Sequence, residues 1–246
     1  MSADADIRYV LQVENIHTYI GQFHILEGVS LKVRQGSITV LLGRNGAGKT
    51  TTLKSILGLT PPREGRVLFD GQEIQGNQAF DVANLGIGYV PEHRAIFRNL
   101  SVVENLKIAE RKKGDLDRKA DFIFDLFPDL KRLYKLPGNH LSGGQQQMLA
   151  VARALVPDNK LLLIDEPSEG LAPVLIEQMM EAIRELSGTT TVLLVEQNFI
   201  MASQLSESYY IVDDGRIAHQ GAMSDLAQNK ALIRQFLGAS VGGGGK

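Results

Sequence analysis

The run Gly43-Arg44-Asn45-Gly46-Ala47-Gly48-Lys49-Thr50 has the spacing G-x-x-x-x-G-K-[ST]. Its glycines let the backbone turn N–H groups inward around phosphate oxygens. Lys49 supplies a point charge for the β- and γ-phosphates, and the Thr50 hydroxyl is placed to hold Mg²⁺. Thr51 is next in line on the same turn. The chemistry implied is the cradling of a nucleoside triphosphate.

A second candidate is the pair Asp165-Glu166, which closes the apolar run Leu161-Leu162-Leu163-Ile164. Ligands of open α/β sheets sit at the carboxyl ends of such strands. Asp165 suits Mg²⁺, directly or through water, as the second acidic element of a phosphate-loop site. Glu166, expected to point the other way along the strand, suits a general base that polarises the attacking water. Taken alone, the pair could equally begin a loop before Pro167.

The third is Leu141-Ser142-Gly143-Gly144-Gln145, ahead of a helical stretch from Gln146 to Val156 that stops at Pro157. Ser142 is a good N-cap, and the two glycines leave first-turn N–H groups open to an anion. One nucleotide does not need two such helix starts from one chain. The second therefore fits a nucleotide held by another subunit.

These residues need a frame. Ile38 to Leu42 reads as a buried strand, and Thr51 to Leu59 puts Leu53, Ile56 and Leu57 on one helical face. Further strands are expected at Ile7 to Val13, Leu26 to Val33, Val67 to Gly71 (ending in a turn signal), Gly86 to Pro91, Lys160 to Asp165 and Thr190 to Val195. A last hairpin begins at Tyr209 to Val212 and turns through Asp214-Gly215. Between Val102 and Val156 the pattern is helical, broken at Pro128 and Pro137. Leu226 to Leu237 has helical spacing. The expected fold class is α/β, a phosphate-loop core with an inserted helical subdomain and an antiparallel β edge. Its bounds are 7–238, with core at about 7–92 and 158–222 and helices at about 93–157. Residues 239–246, glycine-rich, read as a flexible tail.

The 246 residues carry a net charge of −2 with 43% hydrophobic and 22% charged content, so nothing marks a nucleic-acid or anionic-membrane binder. There is no cysteine, which excludes disulfides and thiolate-bound zinc. Met1 to Asp6 has no signal pattern, and no apolar run reaches the roughly 18 residues needed to span a bilayer. The expected setting is cytosolic, with any membrane part supplied by other chains.

The three motifs, in this order, resemble the nucleotide-binding subunit of ABC transporters over about residues 8 to 238. Tyr89-Val90-Pro91-Glu92, Asp165 to Pro173 and Leu194-Val195-Glu196-Gln197-Asn198 resemble one subgroup, the second ATPase subunit of branched-chain amino-acid importers and the related urea and amide importers. The resemblance implies ATP and Mg²⁺ as ligands and a head-to-tail dimer of two cassettes, alike or sister subunits. ATP would lie between the phosphate loop of one chain and Leu141, Ser142, Gly143, Gly144 and Gln145 of the other. It also implies two transmembrane permease subunits, an external solute-binding protein acting indirectly, and a peripheral place on the cytoplasmic membrane face. Nucleic acid is not an expected partner.

The chain departs from the general family pattern at four places. Glu92 stands where Gln is usual, Gln197 where the switch His is usual, and Ala172 where Asp is usual. Ile20, not an aromatic, directly precedes Gly21; Tyr19 is one residue earlier and fits either adenine stacking or packing on a sheet face. Gln197 can donate a hydrogen bond to the γ-phosphate but no charge. Glu92 could face Mg²⁺, or be repelled by phosphate. A slow hydrolytic site is expected. Arg94, Phe97 and Leu100 follow, where permeases of the family insert a short coupling helix; an ordinary solvated loop fits them as well.

Overall fold

Three short strands are buried at every position: β3 (Ile38–Leu42), β7 (Leu161–Asp165) and β8 (Thr191–Glu196). Only strands covered on both faces carry such unbroken apolar runs. They are the centre of a six-stranded sheet in the computed structural model, which describes residues 8–238. Its order is β10-β9-β3-β8-β7-β6, with β6 at Ile87–Val90, β9 at Ser208–Asp213 and β10 at Arg216–Ala222. All pairings are parallel except β9 with β10, the expected last hairpin.

A second sheet, order β2-β1-β4-β5, is antiparallel throughout. It consists of β1 (Tyr9–Ile20), β2 (Phe23–Arg34), β4 (Glu64–Phe69) and β5 (Gln72–Glu73). The antiparallel part is thus a separate four-stranded layer and not only an edge. β1 runs on well beyond the expected Val13, because its apolar side chains cover the large sheet while polar ones alternate outward. Ile7, the expected first residue of that strand, and the tail at 239–246 lie outside the described residues.

The large sheet divides the core by residue parity. Leu41, Leu161, Leu163, Leu193 and Val195 pack toward the small sheet, with Leu53 and Ile56 of α1 (Lys49–Ile56). Val40, Leu42, Leu162, Ile164, Val192 and Leu194 pack toward the other helices. Α2 (Ala79–Asn84) precedes β6; α3 (Val102–Lys107), α4 (Asp115–Leu126), α5 (Pro128–Arg132) and α6 (Gly143–Leu155) follow it. Pro128 does not simply break a helix but begins α5, where its missing N–H costs nothing.

Α7 (Pro173–Ser187), the longest helix described, links β7 to β8, and α8 (Phe199–Leu205) links β8 to β9. The 226–237 pattern is two helices, α9 (Met223–Gln228) and α10 (Lys230–Leu237). Asn229 divides them, its side chain accepting from Leu232 N at 3.0 Å as a cap.

Candidate nucleotide site

Β3 delivers the chain to Gly43 and the phosphate loop, and α1 carries it away. At Gly43 a Cβ would lie 2.4 Å from the Val212 carbonyl oxygen of β9, so only glycine passes. Gly48 caps α1 at φ +110°, where a side chain would be strained and would also meet Leu26 at 2.8 Å. A cavity of about 310 Å³ opens over the loop, lined by Asn45, Gly46, Gly48, Lys49, Thr50 and Thr51 together with Ile25, Glu92 and Glu166.

Lys49 is 4% exposed. Its ammonium donates to Gly43 O at 2.8 Å and Arg44 O at 3.0 Å, and pairs with Glu166 Oε1 at 3.0 Å. Thr50 Oγ1 donates to Asp165 Oδ1 at 3.1 Å. Asp165 continues the parity of Leu161 and Leu163 and so faces α1. Burial raises its pKa to about 6, the Glu166 and Glu92 charges push the same way, and the Thr50 hydrogen bond and Lys49 oppose. Tyr89 OH, 3.5 Å from Asp165 Oδ2, has its pKa raised by burial, with the Asp165 and Glu92 charges adding.

Glu166 does not continue the strand. Β7 ends at Asp165, and Glu166 takes φ +44°, with its N–H on Val195 O at 3.0 Å. That bend is what brings its carboxylate to Lys49. Glu166 thus pairs with the buried Lys49 ammonium, Asp165 lies behind Thr50, and Glu92 lines the same cavity close enough to act on Asp165. The surplus of oxygen donors suits a hard divalent cation: Thr50 and Asp165 present adjacent oxygens, and Lys49 is already engaged by Glu166.

The remaining expected residues are placed as follows. The Arg44 side chain turns away from the cavity and donates to Gln235 O at 2.9 Å, in the last turn of α10. Ala47 is buried, its carbonyl accepting from Gly215 N at 2.9 Å. Tyr19 stacks on His24 (centroids 4.2 Å apart, planes 6° apart), with the Arg63 guanidinium 4.3 Å from its ring centroid. The opposite face of that hairpin exposes the cross-strand pair Ile20 and Phe23, at 51% and 66%. Gln197 is exposed at the end of β8 and does not line the cavity.

Nor do Leu141 to Gln145 line it. They form the start of α6 as a capping box: Ser142 Oγ accepts from Gln145 N at 3.3 Å, and Gln145 Oε1 accepts from Ser142 N at 3.0 Å. Among the described residues the Ser142 hydroxyl proton has no acceptor and can donate. Gly144 packs against Leu175 of α7, whose Cδ1 a Cβ there would meet at 2.2 Å and push aside.

The roles of two residues were not legible in the sequence. Glu196, 1% exposed, ends β8 as Asp165 ends β7; a carboxylate closing an apolar run was the available signal. Asn105, fully buried on α3, fastens the loop after Glu92. It accepts from Phe97 N at 2.8 Å and donates to the carbonyls of Phe97, Leu100 and Ser101 at 2.9 to 3.1 Å. Nothing in its sequence context pointed there.

A β–loop–α nucleotide cradle beside paired carboxylates, with a capped glycine helix start on an inserted helical layer, defines an ATP-hydrolysing cassette. A family model described as ABC transporter matches residues 26–169, and the chain belongs to that family. The branched-chain amino acid transport ATP-binding protein BraG of Pseudomonas aeruginosa is 38% identical over 93% of this chain and 100% of its own. The lipopolysaccharide export system ATP-binding protein LptB of Escherichia coli K12 is 33% identical over 87% of this chain and 91% of its own. The crystal structure of the ADP conformation of MJ1267, an ATP-binding cassette of an ABC transporter, superposes with TM-score 0.83. It is 27% identical and covers 94% of this chain and 98% of its own. The chain is thus an ABC ATPase. Among the described residues no helix is long and apolar enough to cross a membrane.

Proposed function

We propose that this chain is the ATPase subunit of an importer for branched-chain or related amino acids, peripheral on the cytoplasmic membrane face. The carrying observation is the full-length likeness to BraG, at 38% identity. In this reading the chain is one cassette. It pairs with a second, its own copy or a sister, and acts on two permease subunits served by an external solute-binding protein.

The backbone N–H groups of Asn45 to Thr50 bind the β- and γ-phosphates, and Lys49 neutralises their charge. Thr50 and Asp165, with Glu92 nearby, would hold Mg²⁺, which when bound offsets negative charge on the phosphate oxygens. A phosphate oxygen entering the loop competes with Glu166 for the Lys49 ammonium. Glu166, so released, takes the proton of the attacking water as general base. Gln197, outside the cavity here, would move toward the γ-phosphate to donate a neutral hydrogen bond. Ser142, with the open N–H groups of Gly143 and Gly144, binds the partner's nucleotide in trans, and Leu141 and Gln145 brace that helix start. For the base, Ile20 and Phe23 offer open apolar surface, while Tyr19 is engaged by His24 and Arg63.

A groove of about 330 Å³ between the α1–α2 side and the helical layer supports permease docking. Arg94, Arg111 and Arg153 line it among apolar residues such as Leu57, Leu59 and Pro91, which suits a short helix with acidic residues. Phe97 and Leu100 are not part of its lining; Phe97 is 46% exposed, with the Arg153 guanidinium 4.9 Å from its ring centroid.

Deleting the chain in its host should abolish uptake of labelled leucine, isoleucine and valine, and Glu166→Gln should fail to restore it. Normal uptake would refute the cargo. Loss of urea or short-amide uptake would instead select that cargo. A defect in outward lipid transport would select the second reading, which the LptB likeness supports.

A further inference from the structure

We propose that Glu196 is a positioning residue that fastens the loop carrying Glu166 to the loop carrying Gln197, so that the two move as one piece during turnover. The proposal rests on Glu166 being the base.

Β7 and β8 are parallel neighbours, with Asp165 level with Val195. Their carboxyl ends release two loops side by side. One runs through Glu166, Pro167 and Ser168; the other begins at Gln197. Glu196 has the parity of Val192 and Leu194, so it faces away from α1 and toward the helical side. There its carboxylate accepts four bonds. Ser168 N donates to Oε1 at 3.2 Å, and Ser168 Oγ donates to Oε2 at 3.0 Å. Gln197 N and Asn198 N both donate to Oε2 at 3.2 Å. One side chain thus closes both loops, two residues beyond Glu166 on one and at Gln197 itself on the other.

The loops are stiff enough to transmit this. Glu169 N returns to Glu166 O at 3.2 Å, Leu171 N returns to Ser168 O at 3.2 Å, and Asn198 caps α8 through Met201 N at 3.2 Å. Glu166 N is held on Val195 O, the carbonyl just before Glu196. A shift of Gln197 toward a γ-phosphate therefore pulls Ser168 and turns Glu166.

In its ionised form the side chain fits all four converging donors, because it then accepts at about four lone-pair sites and donates nothing. An amide would turn N–H groups toward one of the two loops. Among the described residues no lysine or arginine pairs with Glu196. Burying an acid without a cation is costly, and apolar packing alone would not require it.

The test is ATP hydrolysis by the full-length chain carrying Glu196→Gln, Ser168→Ala or both. Each single change should lower kcat about tenfold, with KM for ATP within about twofold, as expected when a base is slightly misplaced. The double variant should be no slower than the slower single one. Ser168→Thr keeps the hydroxyl and should retain most of the turnover. If both singles turn over normally, or if their losses multiply in the double variant, the fastening is wrong. Should Glu196→Gln fail to fold, the Ser168 pair decides: normal kcat in Ser168→Ala overturns the proposal, and loss rescued by Thr upholds it. Glu166→Gln, run beside them, separates the two claims. Retained turnover there overturns the base assignment, whereas normal Ser168→Ala beside inactive Glu166→Gln overturns the fastening.

Discussion

Lys49 Nζ lies 3.0 Å from Glu166 Oε1, and both side chains are largely shielded, at 3% and 12% exposure. The same ammonium holds the Gly43 and Arg44 carbonyls. Its three N–H bonds are therefore all in use, and a γ-phosphate can gain a contact only by displacing one acceptor. Glu166 is the acceptor on a loop and not in the cradle itself, so it is the one that yields. Under the proposed mechanism, phosphate binding and release of Glu166 as base would be a single event.

Glu166→Gln should lower turnover by about 10²- to 10⁴-fold, the usual range for a lost general base. Nucleotide affinity should hold or rise, because the competing charge on Lys49 is gone. Single-turnover hydrolysis and equilibrium binding of a non-hydrolysable ATP analogue check both halves. Turnover near normal would remove Glu166 from the role.

In the proposed mechanism Glu92 and Gln197 set the rate at this site. Glu92 lies close enough to Asp165 to disfavour its ionisation, and Gln197 brings no positive charge. Charge-assisted hydrogen bonds are roughly twice as strong as neutral ones. Glu92→Gln with Gln197→His should therefore raise turnover several-fold, measured with the partner cassette's own site disabled. An unchanged rate would show that these residues do not limit it.

Glu196 should make stability pH-dependent. Burial raises its pKa from an ordinary 4.5 to about 7; the Ser168 and Asn198 hydrogen bonds oppose, and the Glu166 charge adds to the rise. Between those values the folded chain holds a proton that the unfolded chain has released. Stability attributable to Glu196 therefore falls as pH rises through that window, with a slope approaching about 1.4 kcal/mol per pH unit. Denaturant unfolding in metal-free buffer should give wild type a steeper decline from pH 4.5 to 7 than Glu196→Gln. Asp165, present in both, cancels in the difference. Parallel curves would mean that Glu196 is charged throughout.

Asn105→Ala should cost about 1 to 3 kcal/mol, since it removes the acceptor of the Phe97 N–H and one of the two donors to each of the Phe97, Leu100 and Ser101 carbonyls. The loop from Ile96 to Ser101 should exchange its amides faster while the α1–β3 core keeps its protection. Hydrogen exchange reads both, and uniform exchange across the chain would show a general loss of stability instead.

What could be read from the sequence was what depends on local order. The phosphate loop, Asp165 and the Ser142 cap are each specified by neighbours within a few residues, and the buried strands by unbroken apolar runs. What could not be read depends on parity and partners across the fold. Glu196 matters because β7 and β8 are adjacent, Asn105 because α3 turns back on the loop before it, and Arg44 because the last turn of α10 ends within reach of its side chain. Tyr19 shows the same limit: sequence left it between a base and a sheet face, and the cross-strand pairing with His24 gives its ring a neighbour. Glu166, a strand residue by pattern, leaves the strand because its positive φ is supported by the Val195 carbonyl next door.

The central claim is that this ATPase drives a membrane importer. Affinity purification of the tagged full-length chain from its native membranes in mild detergent, with mass spectrometry of the complex, tests it most directly. The account predicts two multi-span permease chains in near-equal amounts, with a second cassette, alike or sister. Recovery of the chain with ribosomal or DNA-associated proteins, and no multi-span partner, would contradict it.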